Sequence, residues 1–435
     1  MQKSIWSDTA QIAKHHELTE DIKTDILIIG GGICGILCAY FLKKSGVDCV
    51  LVEGSTVASG ITKNTTAKIT SQHGLIYSNL VSKMGIYNAQ LYLRAHESAL
   101  AEYAKLCKDI DCDFERKNSY VYSLDDRTKI ENEINALNLI GFGASFKDAI
   151  ELPFKIDGAV CFENQAQFNP LKFISEISKN LDIYENTFVY KVISGKAITK
   201  NATITADAII VATHFPFINK HGSYFLKLYQ KRSYVTALKN AQKITGMYLD
   251  ESDAGFSLRS YNDNLLIGAA SHRTGKKSPG WQAVYDFAST HYPQAKIRYS
   301  WSTQDCMSLD NIAYIGQYSK NTPSLYVATG FSKWGMTSSM LSAMILTDMI
   351  LGKENDFKNI FSPQRSILKP QLAVNAFETV CNFIVPTKKR CPHLGCSLKW
   401  NKNERTWDCP CHGSRFSENG DLIDNPATKD ANVRK

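Results

Sequence analysis

Long uninterrupted apolar runs and blocks of basic residues are both missing from this chain of 435 residues. The apolar stretch from Ile26 to Leu42 is broken by glycines at positions 30–32 and 35, so a buried strand–turn–helix explains it better than a membrane span. The first 25 residues lack an apolar core in front of a cleavage site, and we expect no secretion signal there. The net charge of +8 is not gathered into clusters of lysine and arginine interleaved with aromatic residues, which argues against a nucleic-acid partner.

The cysteines do not form the regular framework of a small secreted protein. Eight of the 12 are scattered through the chain, which is typical of a protein kept in the reducing cytoplasm. The remaining composition, 44% hydrophobic and 21% charged, is that of an ordinary globular protein. At this length we expect two or three domains and a cytoplasmic location.

A nucleotide-binding pattern ends at Glu53. A short apolar, β-branched segment predicts a buried parallel strand, and Gly30-x-Gly32-x-x-Gly35 and a helix follow it directly. The three glycines permit, in order, a tight turn, the close approach of a pyrophosphate, and helix–strand packing. Glu53 ends the next predicted strand and can accept a hydrogen bond from a ribose hydroxyl. A glycine-rich turn of an unrelated fold is the alternative, but strand, helix and acid together favour a dinucleotide site.

Two other segments could contact the same cofactor. The polar loop at 58–77 could place Thr65 and Thr66 near it, although a solvated surface loop explains these residues equally well. Near the end of the predicted sheet, a strand enters a loop with Gly330 and Gly335, and a helix begins around Met336. A helix N-terminus there would face a partly negative ligand group, the alternative being a plain strand–turn–helix joint. The glycine fingerprint is not repeated, so we do not expect a second site for NAD(P)H.

Two short boxes near the C-terminal end combine soft and imidazole ligands. They are Cys391-x-His393 and Cys409-x-x-His412, with 15 residues between them. Two thiolates and two imidazoles suit either zinc or a [2Fe–2S] cluster with both histidines on one iron. Zinc-finger boxes usually pair like with like, so the mixed boxes favour the cluster. A disulfide knot without metal leaves both histidines unexplained.

The two boxes resemble those of Rieske iron–sulfur proteins, notably the disulfide-bearing type of respiratory and photosynthetic cytochrome complexes. The resemblance implies that Cys391 and Cys409 bind the inner iron of a [2Fe–2S] cluster. It also implies that His393 and His412 bind the outer iron.

A second cysteine follows each box, and the resemblance implies that Cys396 and Cys411 form a bridge over the cluster. It also implies that Ser414 donates a hydrogen bond to a cluster sulfur. Phe416 stands where high-potential relatives often carry a tyrosine, so we expect a lower potential. The strands that usually precede the first box are missing, and the module should lean on the rest of the chain for its core.

The larger part of the chain, residues 24–352, resembles the glycine/D-amino-acid oxidase family of FAD-dependent oxidoreductases. The matching pieces are the GGGICG loop with Glu53, the ATH box at Ala212–His214 and the ATGFSKWGMT segment. The resemblance implies FAD, bound non-covalently since no Cys or His sits in an obvious linkage motif, with a covalent link through Cys34 or Cys306 left open. It also implies a discontinuous FAD-binding domain with an inserted substrate domain. It names no substrate, because members of the family oxidise many amines and amino acids.

We therefore expect an α/β fold (α+β overall). A Rossmann-like FAD-binding domain would carry an inserted mixed-sheet substrate domain and a small all-β Rieske-type module. The expected limits are 1–80, 150–215 and 300–360 for the FAD-binding domain, 81–149 and 216–299 for the substrate domain, 361–386 for a linker or docking helix, and 387–435 for the truncated Rieske domain.

The expected function is that of a dehydrogenase that oxidises a small amine, amino acid or hydroxy acid by hydride transfer to FAD. Single electrons would pass through the cluster to a carrier such as a ferredoxin or a quinone, and a solvent-exposed cluster histidine would be the exit. The reverse direction fits equally well, and no catalytic residue is predicted. Two alternatives stay open: an electron-transfer or redox-sensing protein without small-molecule turnover, and an oxidase with a structural zinc module.

Overall fold

The computed structural model describes residues 3–253 and 255–433, in which three β-sheets are surrounded by helices. Among these residues, no helix is both long enough and apolar enough to cross a bilayer. Short 3₁₀ turns occur at Ile5–Asp8 and Ile61–Asn64. The helices are α1 (Ile33–Lys44), α2 (Tyr77–Leu106), α3 (Arg127–Leu139), α4 (Pro170–Ile177), α5 (Tyr224–Lys227), α6 (Trp281–His291), α7 (Gly335–Ile350) and α8 (Pro370–Ile384).

The first sheet has eight strands and a mostly parallel centre. Its strands are β1 (Ile22–Ile29), β2 (Cys49–Val52), β7 (Ile183–Tyr184), β8 (Lys191–Ile193), β9 (Lys196–Ile198), β10 (Thr203–Val211), β16 (Tyr314–Gln317) and β17 (Leu325–Thr329). Strand β1 pairs in parallel with β10 on one side and with β2 on the other. Both faces of this centre are covered, and the buried ends of its central strands, Ile26–Ile29 of β1 and Ile209–Val211 of β10, are apolar throughout.

Helix α1 packs very closely on the first sheet. A Cβ added at Gly35 would lie 1.9 Å from the carbonyl oxygen of Gly30, and one at Gly30 would lie 2.6 Å from the carbonyl oxygen of Ala212. The φ angle of Gly30 is +116°, a backbone conformation that residues other than glycine rarely adopt. The glycines therefore bring the N-terminus of α1 against the ends of β1 and β10.

The second sheet has nine strands and is mixed, since β12 runs parallel to β4 while the remaining pairs are antiparallel. Its strands are β3 (Lys68–Ile69), β4 (Glu115–Ser123), β5 (Ser145–Lys147), β6 (Gly158–Gln167), β11 (Tyr229–Lys239), β12 (Met247–Asp250), β13 (Ser257–Tyr261), β14 (Asn264–Arg273) and β15 (Lys296–Met307). The sheet corresponds to the mixed sheet expected for a substrate domain.

Three strands lie in a different sheet from the one that the predicted domain limits imply. Strands β3 and β6 fall within segments assigned to the FAD-binding domain, but they pair with each other and β6 pairs with β4 in the second sheet. Strand β15 crosses the predicted limit at residue 300 and pairs along its length with β11. Sheet membership depends on tertiary pairing, which the sequence pattern alone does not specify. We keep the division into domains as a proposal, with these three strands moved.

The third sheet is small and has four strands. They are β18 (Lys399–Asn401), β19 (Thr406–Asp408), β20 (Arg415–Phe416) and β21 (Leu422–Asp424). Four of its buried core residues are cysteines, and Phe416 is fully buried among them. A core of this size supplies little stability by itself, so the module depends on its contacts with the second sheet.

The close packing at Gly35 gives a first prediction. Gly35→Ala should lower the free energy of local opening of α1 by about 1–3 kcal/mol, because the added methyl group overlaps the Gly30 carbonyl. Amide hydrogen exchange across residues 26–44 measures this change. Gly143→Ala is the matched control, since a Cβ there meets no atom within 4 Å. Equal protection of α1 in both variants would contradict the packing argument.

Candidate functional site

A cavity of about 1160 Å³ is lined by residues from all three sheets. Its volume exceeds that of most drug-sized pockets and leaves room for a dinucleotide beside a small substrate. One end meets the turn before α1, where Gly30, Gly32 and Glu53 line the wall. The other end reaches the third sheet and the chain that follows it, including Asp424 and Asn425.

The turn before α1 has the features expected of a dinucleotide site. The Glu53 carboxylate accepts hydrogen bonds from the backbone N–H of Gly31 at 2.7 Å and of Ser55 at 2.8 Å. Burial raises the pKa of Glu53 despite these bonds. Gly32 leaves the wall without a side chain at the point where a pyrophosphate must approach. A Cβ at this position would come within 3.3 Å of Thr62 Oγ1. The residues present therefore fit FAD.

The other predicted cofactor residues divide into two groups. Thr65, Thr66, Gly335 and Met336 line the cavity, and the N-terminus of α7 points its free amides toward it. Gly330 is not part of the lining, as its φ of +69° serves the turn after β17. Gly35 is also outside the lining, where it acts through helix packing.

The cavity also contains charged groups that the sequence analysis did not single out. Burial lowers the pKa of Lys68 to about 7, and its ammonium donates to Tyr248 O at 2.8 Å and Ser257 Oγ at 2.7 Å. Burial raises the pKa of Asp305 to about 6, and its carboxylate accepts no hydrogen bond from any described residue. Burial likewise lowers the pKa of Lys333. An acidic residue inside a strand-patterned stretch, as at Asp305, was the signal available in the sequence.

The two predicted cluster boxes come together at one edge of the third sheet. Cys391 and Cys409 are buried neighbours, and the rings of His393 and His412 lie 4.9 Å apart between centroids. The sulfur atoms of Cys396, Cys409 and Cys411 lie close enough together to bind a single ion. This group differs from the four predicted ligands, because Cys396 and Cys411 are disulfide-bonded to each other. A two-iron cluster spreads its ligands over two metal atoms, so the predicted set does not need to converge on one point.

Each predicted ligand histidine is oriented by a hydrogen bond to the flavoprotein part of the chain. His393 Nε2 donates to Asn219 Oδ1 at 3.0 Å, and His412 Nε2 donates to Phe225 O at 3.0 Å. Each ring thus directs Nδ1 elsewhere, and Nδ1 of His393 is buried without a partner among the described residues. Ligand histidines usually donate their second nitrogen to a carbonyl or carboxylate oxygen in this way. The residues present fit a cluster bound through Nδ1.

The expectation of an exposed histidine as the exit point is wrong for His412. Its side chain is 1% exposed, and His393 is only half-buried with its Nε2 turned toward Asn219. Burial lowers the pKa of His393 to about 4 and that of His412 to about 3, so both imidazoles are neutral. The histidine edge faces the protein because His393 packs against Asn219 and His412 against Phe225 of α5.

The remaining predicted residues of the module lie around these ligands. Cys396 and Cys411 are joined by a disulfide, with their Cα atoms 6.7 Å apart. Ser414 Oγ lies beside the Cys391 thiol and accepts a hydrogen bond from the Ala427 N–H at 3.0 Å. The hydroxyl is thus placed where it could donate to a sulfur atom.

The second cluster box is held by side chains from the second sheet. Gln230 Nε2 donates to His412 O at 2.8 Å, and Gln304 Nε2 donates to Gly413 O at 3.0 Å. The two glutamines are joined by a further bond of 2.8 Å. The Arg273 guanidinium donates to two more carbonyls of this loop, those of Pro410 at 2.9 Å and Cys411 at 3.1 Å. These contacts fix the loop on β11, β14 and β15.

A buried ion-pair network strengthens the same interface. Glu404 lies between Arg232 of the second sheet and Arg415 of the third, at 2.7 Å from a nitrogen of each. Arg415 also pairs with Asp408 at 3.1 Å and Asp424 at 3.0 Å. Burial alone raises the pKa of Glu404, but the two arginines lower it to about 2. The carboxylate is therefore ionised and fully compensated.

One short segment separates the cavity from the cluster boxes. Thr213 and His214 line the cavity, and the ring of the next residue, Phe215, lies edge-on to both histidines at centroid distances of 6.5 and 6.1 Å. Asn425 Nδ2 donates to Thr213 O and to Phe215 O, the latter at 2.9 Å. The segment is therefore in contact with both halves of the site.

Comparison with protein families gives two matches that together span the chain. The model of FAD dependent oxidoreductases matches residues 25–349, and that of the Rieske [2Fe-2S] domain matches residues 350–434. The Bacillus subtilis Rieske 2Fe-2S iron-sulfur protein YhfW is 34% identical over 493 residues, covering 98% of this chain and 96% of that protein.

Among solved structures, glycine oxidase from Geobacillus kaustophilus has a TM-score of 0.67 at 20% identity. It covers 79% of this chain and 99% of its own. L-proline dehydrogenase from P. horikoshii has a TM-score of 0.67 at 17% identity, with 79% of this chain and 98% of its own covered. At these identities the likeness concerns the fold of the first two sheets.

The ion-pair network gives a second prediction. Glu404→Gln should lower the opening free energy of the third sheet by roughly 3 kcal/mol, because Arg232 and Arg415 lose their shared countercharge. Amide hydrogen exchange of residues 399–424 measures it. Glu418→Gln, which breaks an exposed pair with Arg405, is the control and should change nothing. A Glu404→Gln variant as well protected as this control would show that the network does not hold the module.

Proposed function

Because the chain belongs to the family of FAD dependent oxidoreductases and carries a Rieske [2Fe-2S] domain, we propose that it is a dehydrogenase for a small amine or amino acid. The predicted resemblances, fold class and cofactors are confirmed at the level of these families. When bound, FAD supplies the hydride acceptor and the [2Fe–2S] cluster supplies a one-electron carrier. The family match leaves a structural zinc module without support.

The contact through segment 213–215 is the observation that carries the proposal. The segment forms part of the cavity wall, and Phe215 also contacts both proposed ligand histidines. Asn425 ties the module to the backbone of this segment. An arrangement that fixes the one-electron site beside the two-electron site favours turnover followed by stepwise electron release over a pure redox sensor.

We propose the ligand set from the orientation of the four side chains. Cys391 and Cys409 are the thiolate ligands, and His393 and His412 bind through Nδ1 while Nε2 donates to Asn219 or Phe225. The proposed FAD contacts are Gly30, Gly32, Glu53, Thr65, Thr66, Gly335 and Met336, with Gly35 and Gly330 shaping the backbone around them.

The substrate is proposed to be an amine or amino acid on two grounds. Glycine oxidase and L-proline dehydrogenase, which share the fold, are named for amino acids. The cavity of this chain also holds the Asp305 carboxylate without a hydrogen-bond partner among the described residues. Asp305 pairs with the substrate ammonium group and takes its proton, because an amine must be neutral before it can lose a hydride. A hydroxy acid is the second candidate, for which this carboxylate acts as the base.

The external carrier and the location are also proposals. The Rieske domain indicates transfer of electrons to a partner, for which a ferredoxin or a quinone is the candidate. We propose a cytoplasmic location, since the eight cysteines that precede Cys391 are unpaired among the described residues.

An anaerobic substrate screen tests the function. A panel of amines, amino acids and hydroxy acids is added to the holoprotein, while flavin absorbance and the EPR signal of the reduced cluster are recorded. We expect at least one amine or amino acid to bleach the flavin and to produce the cluster signal without an added carrier. Photoreduction is the control that shows both centres to be reducible.

Two outcomes of this screen would contradict the proposal. If photoreduction reduces both centres but no compound bleaches the flavin, the electron-transfer or redox-sensing alternative is favoured. If a compound bleaches the flavin while the cluster stays oxidised, the cluster is not the outlet for electrons from that substrate.

The role of Asp305 gives a pH prediction. Burial raises the pKa of Asp305 to about 6, so the carboxylate that accepts the proton is lost as the pH falls below about 6. Below that pH, kcat/KM for an amine substrate should decrease with the slope expected for the uptake of one proton. Asp305→Asn should abolish this decrease at low pH and lower kcat/KM by roughly 10²-fold or more. Asp263→Asn, at an exposed turn, is the control. An acid limb that survives in Asp305→Asn assigns the titration to another group.

A further inference from the structure

Helix α8 is amphipathic, but its apolar side faces solvent and its polar side faces the protein. Phe377 is 67% exposed, Val380 59%, Phe383 55% and Ile384 71%, whereas its two buried residues are asparagines. A surface helix of a globular protein normally turns its apolar stripe toward the core. Within residues 3–253 and 255–433, nothing covers this stripe.

Polar contacts on the inner side prevent α8 from rotating. Asn375 Oδ1 accepts from the Arg273 guanidinium at 3.0 Å, and Asn382 O accepts from the Ser397 N–H at 2.9 Å. Glu378 pairs with Lys276 at 2.8 Å. Turning the apolar side inward would break all of these bonds, one of them made by the arginine that holds the second cluster box. The outward stripe is thus a fixed property of the fold.

The apolar surface continues onto the first cluster box. Gly395, in the loop that follows His393, lies where an added Cβ would touch the Phe383 ring at 3.4 Å. Arg390 joins the two elements by donating to Phe383 O at 2.9 Å and Gly395 O at 2.8 Å. We call this continuous surface the α8 face; its exposed residues are Leu368, Val374, Phe377, Val380, Phe383, Ile384 and Leu394.

Basic residues flank the α8 face at both ends. Lys369 precedes the helix, and exposed Lys388 follows it together with Arg390. Glu378 is the single acidic residue of α8, and it lies on the inner side in its pair with Lys276. Apolar side chains between cationic ends are typical of a helix that lies in the surface of an anionic bilayer.

We propose that the α8 face docks this protein peripherally on an anionic lipid bilayer. Phe377, Phe383 and Ile384 insert between acyl chains, and the flanking lysines contact acidic headgroups. A second copy of the chain fits the face less well. An antiparallel helix pair would bring Lys369 of one copy against Lys388 of the other, and a parallel pair would bring identical charges together.

Docking places the first cluster box at the lipid surface, since Leu394 belongs to the docked face. This consequence rests on the proposed function, under which the carrier is then one that the membrane supplies. The docking itself stands independently, and it is tested by a binding measurement that requires no turnover.

The test is co-sedimentation of the holoprotein with vesicles of pure phosphatidylcholine or of phosphatidylcholine with phosphatidylglycerol. We expect binding to the anionic vesicles that weakens at high salt, and little binding to the neutral ones. The double variant Phe377→Glu/Ile384→Glu should lose about tenfold or more in affinity, and Lys388→Gln roughly fivefold. Leu139→Glu on α3, 59% exposed, is the matched control and should bind normally. Unchanged flavin and cluster spectra show that each variant is folded.

Three results would overturn the proposal. The first is equal binding of the double variant and of Leu139→Glu to anionic vesicles. The second is the absence of binding to anionic vesicles. The third is a dimeric mass in light scattering that the double variant reduces to a monomer, since a second copy would then occupy the α8 face. Because no substrate is used, a failed substrate screen leaves these results interpretable.

Discussion

The hydrogen bonds from Gln230, Arg273 and Gln304 to the backbone of the second cluster box are the interaction on which the rest of the structure depends. The third sheet consists of strands of two or three residues and cannot hold two metal-binding loops on its own core. The second sheet therefore provides the support that a larger Rieske domain would build for itself. The buried ion pairs of Glu404 with Arg232 and Arg415 strengthen the same contact between the second and third sheets.

This dependence explains why the histidine edge of the module is turned inward. With the loop bonded to the three side chains of the second sheet, His412 lies against Phe225 and Phe215. The result is a rigid arrangement in which the proposed one-electron site shares segment 213–215 with the cavity. Under the proposed function, electrons leave from another side of the module, such as the side that carries Leu394 of the α8 face.

The sequence predicted those parts of the site that are set by local spacing. The fingerprint Gly30-x-Gly32-x-x-Gly35 and the two cluster boxes are short, and their chemistry depends on neighbouring residues. The direction in which the boxes face was not predictable, because it is decided by Gln230 and Gln304, which lie 182 and 109 residues from the backbone groups they bind. Asp305 was missed for the same reason, since its place in the cavity follows from the pairing of β15 with β11.

Sheet membership and the orientation of α8 were the other limits of sequence-based prediction. The sequence did not indicate which sheet contains β6, because its partner β4 is selected by tertiary packing. The docking helix expected within 361–386 is α8, but the sequence did not indicate that Asn375 and Asn382 would face the protein while the apolar stripe faces solvent. A periodic pattern gives the faces of a helix and leaves open which face meets the core.

The central claim is that a two-iron cluster lies against segment 213–215 in a module fixed to the flavoprotein. Diffraction from holoprotein crystals at the iron absorption edge tests it most directly. The account predicts two iron peaks, one beside Cys391 and Cys409 and the other beside Nδ1 of His393 and His412, with the second next to Phe215. A single zinc peak, or iron peaks in a module displaced from Phe215, would contradict it.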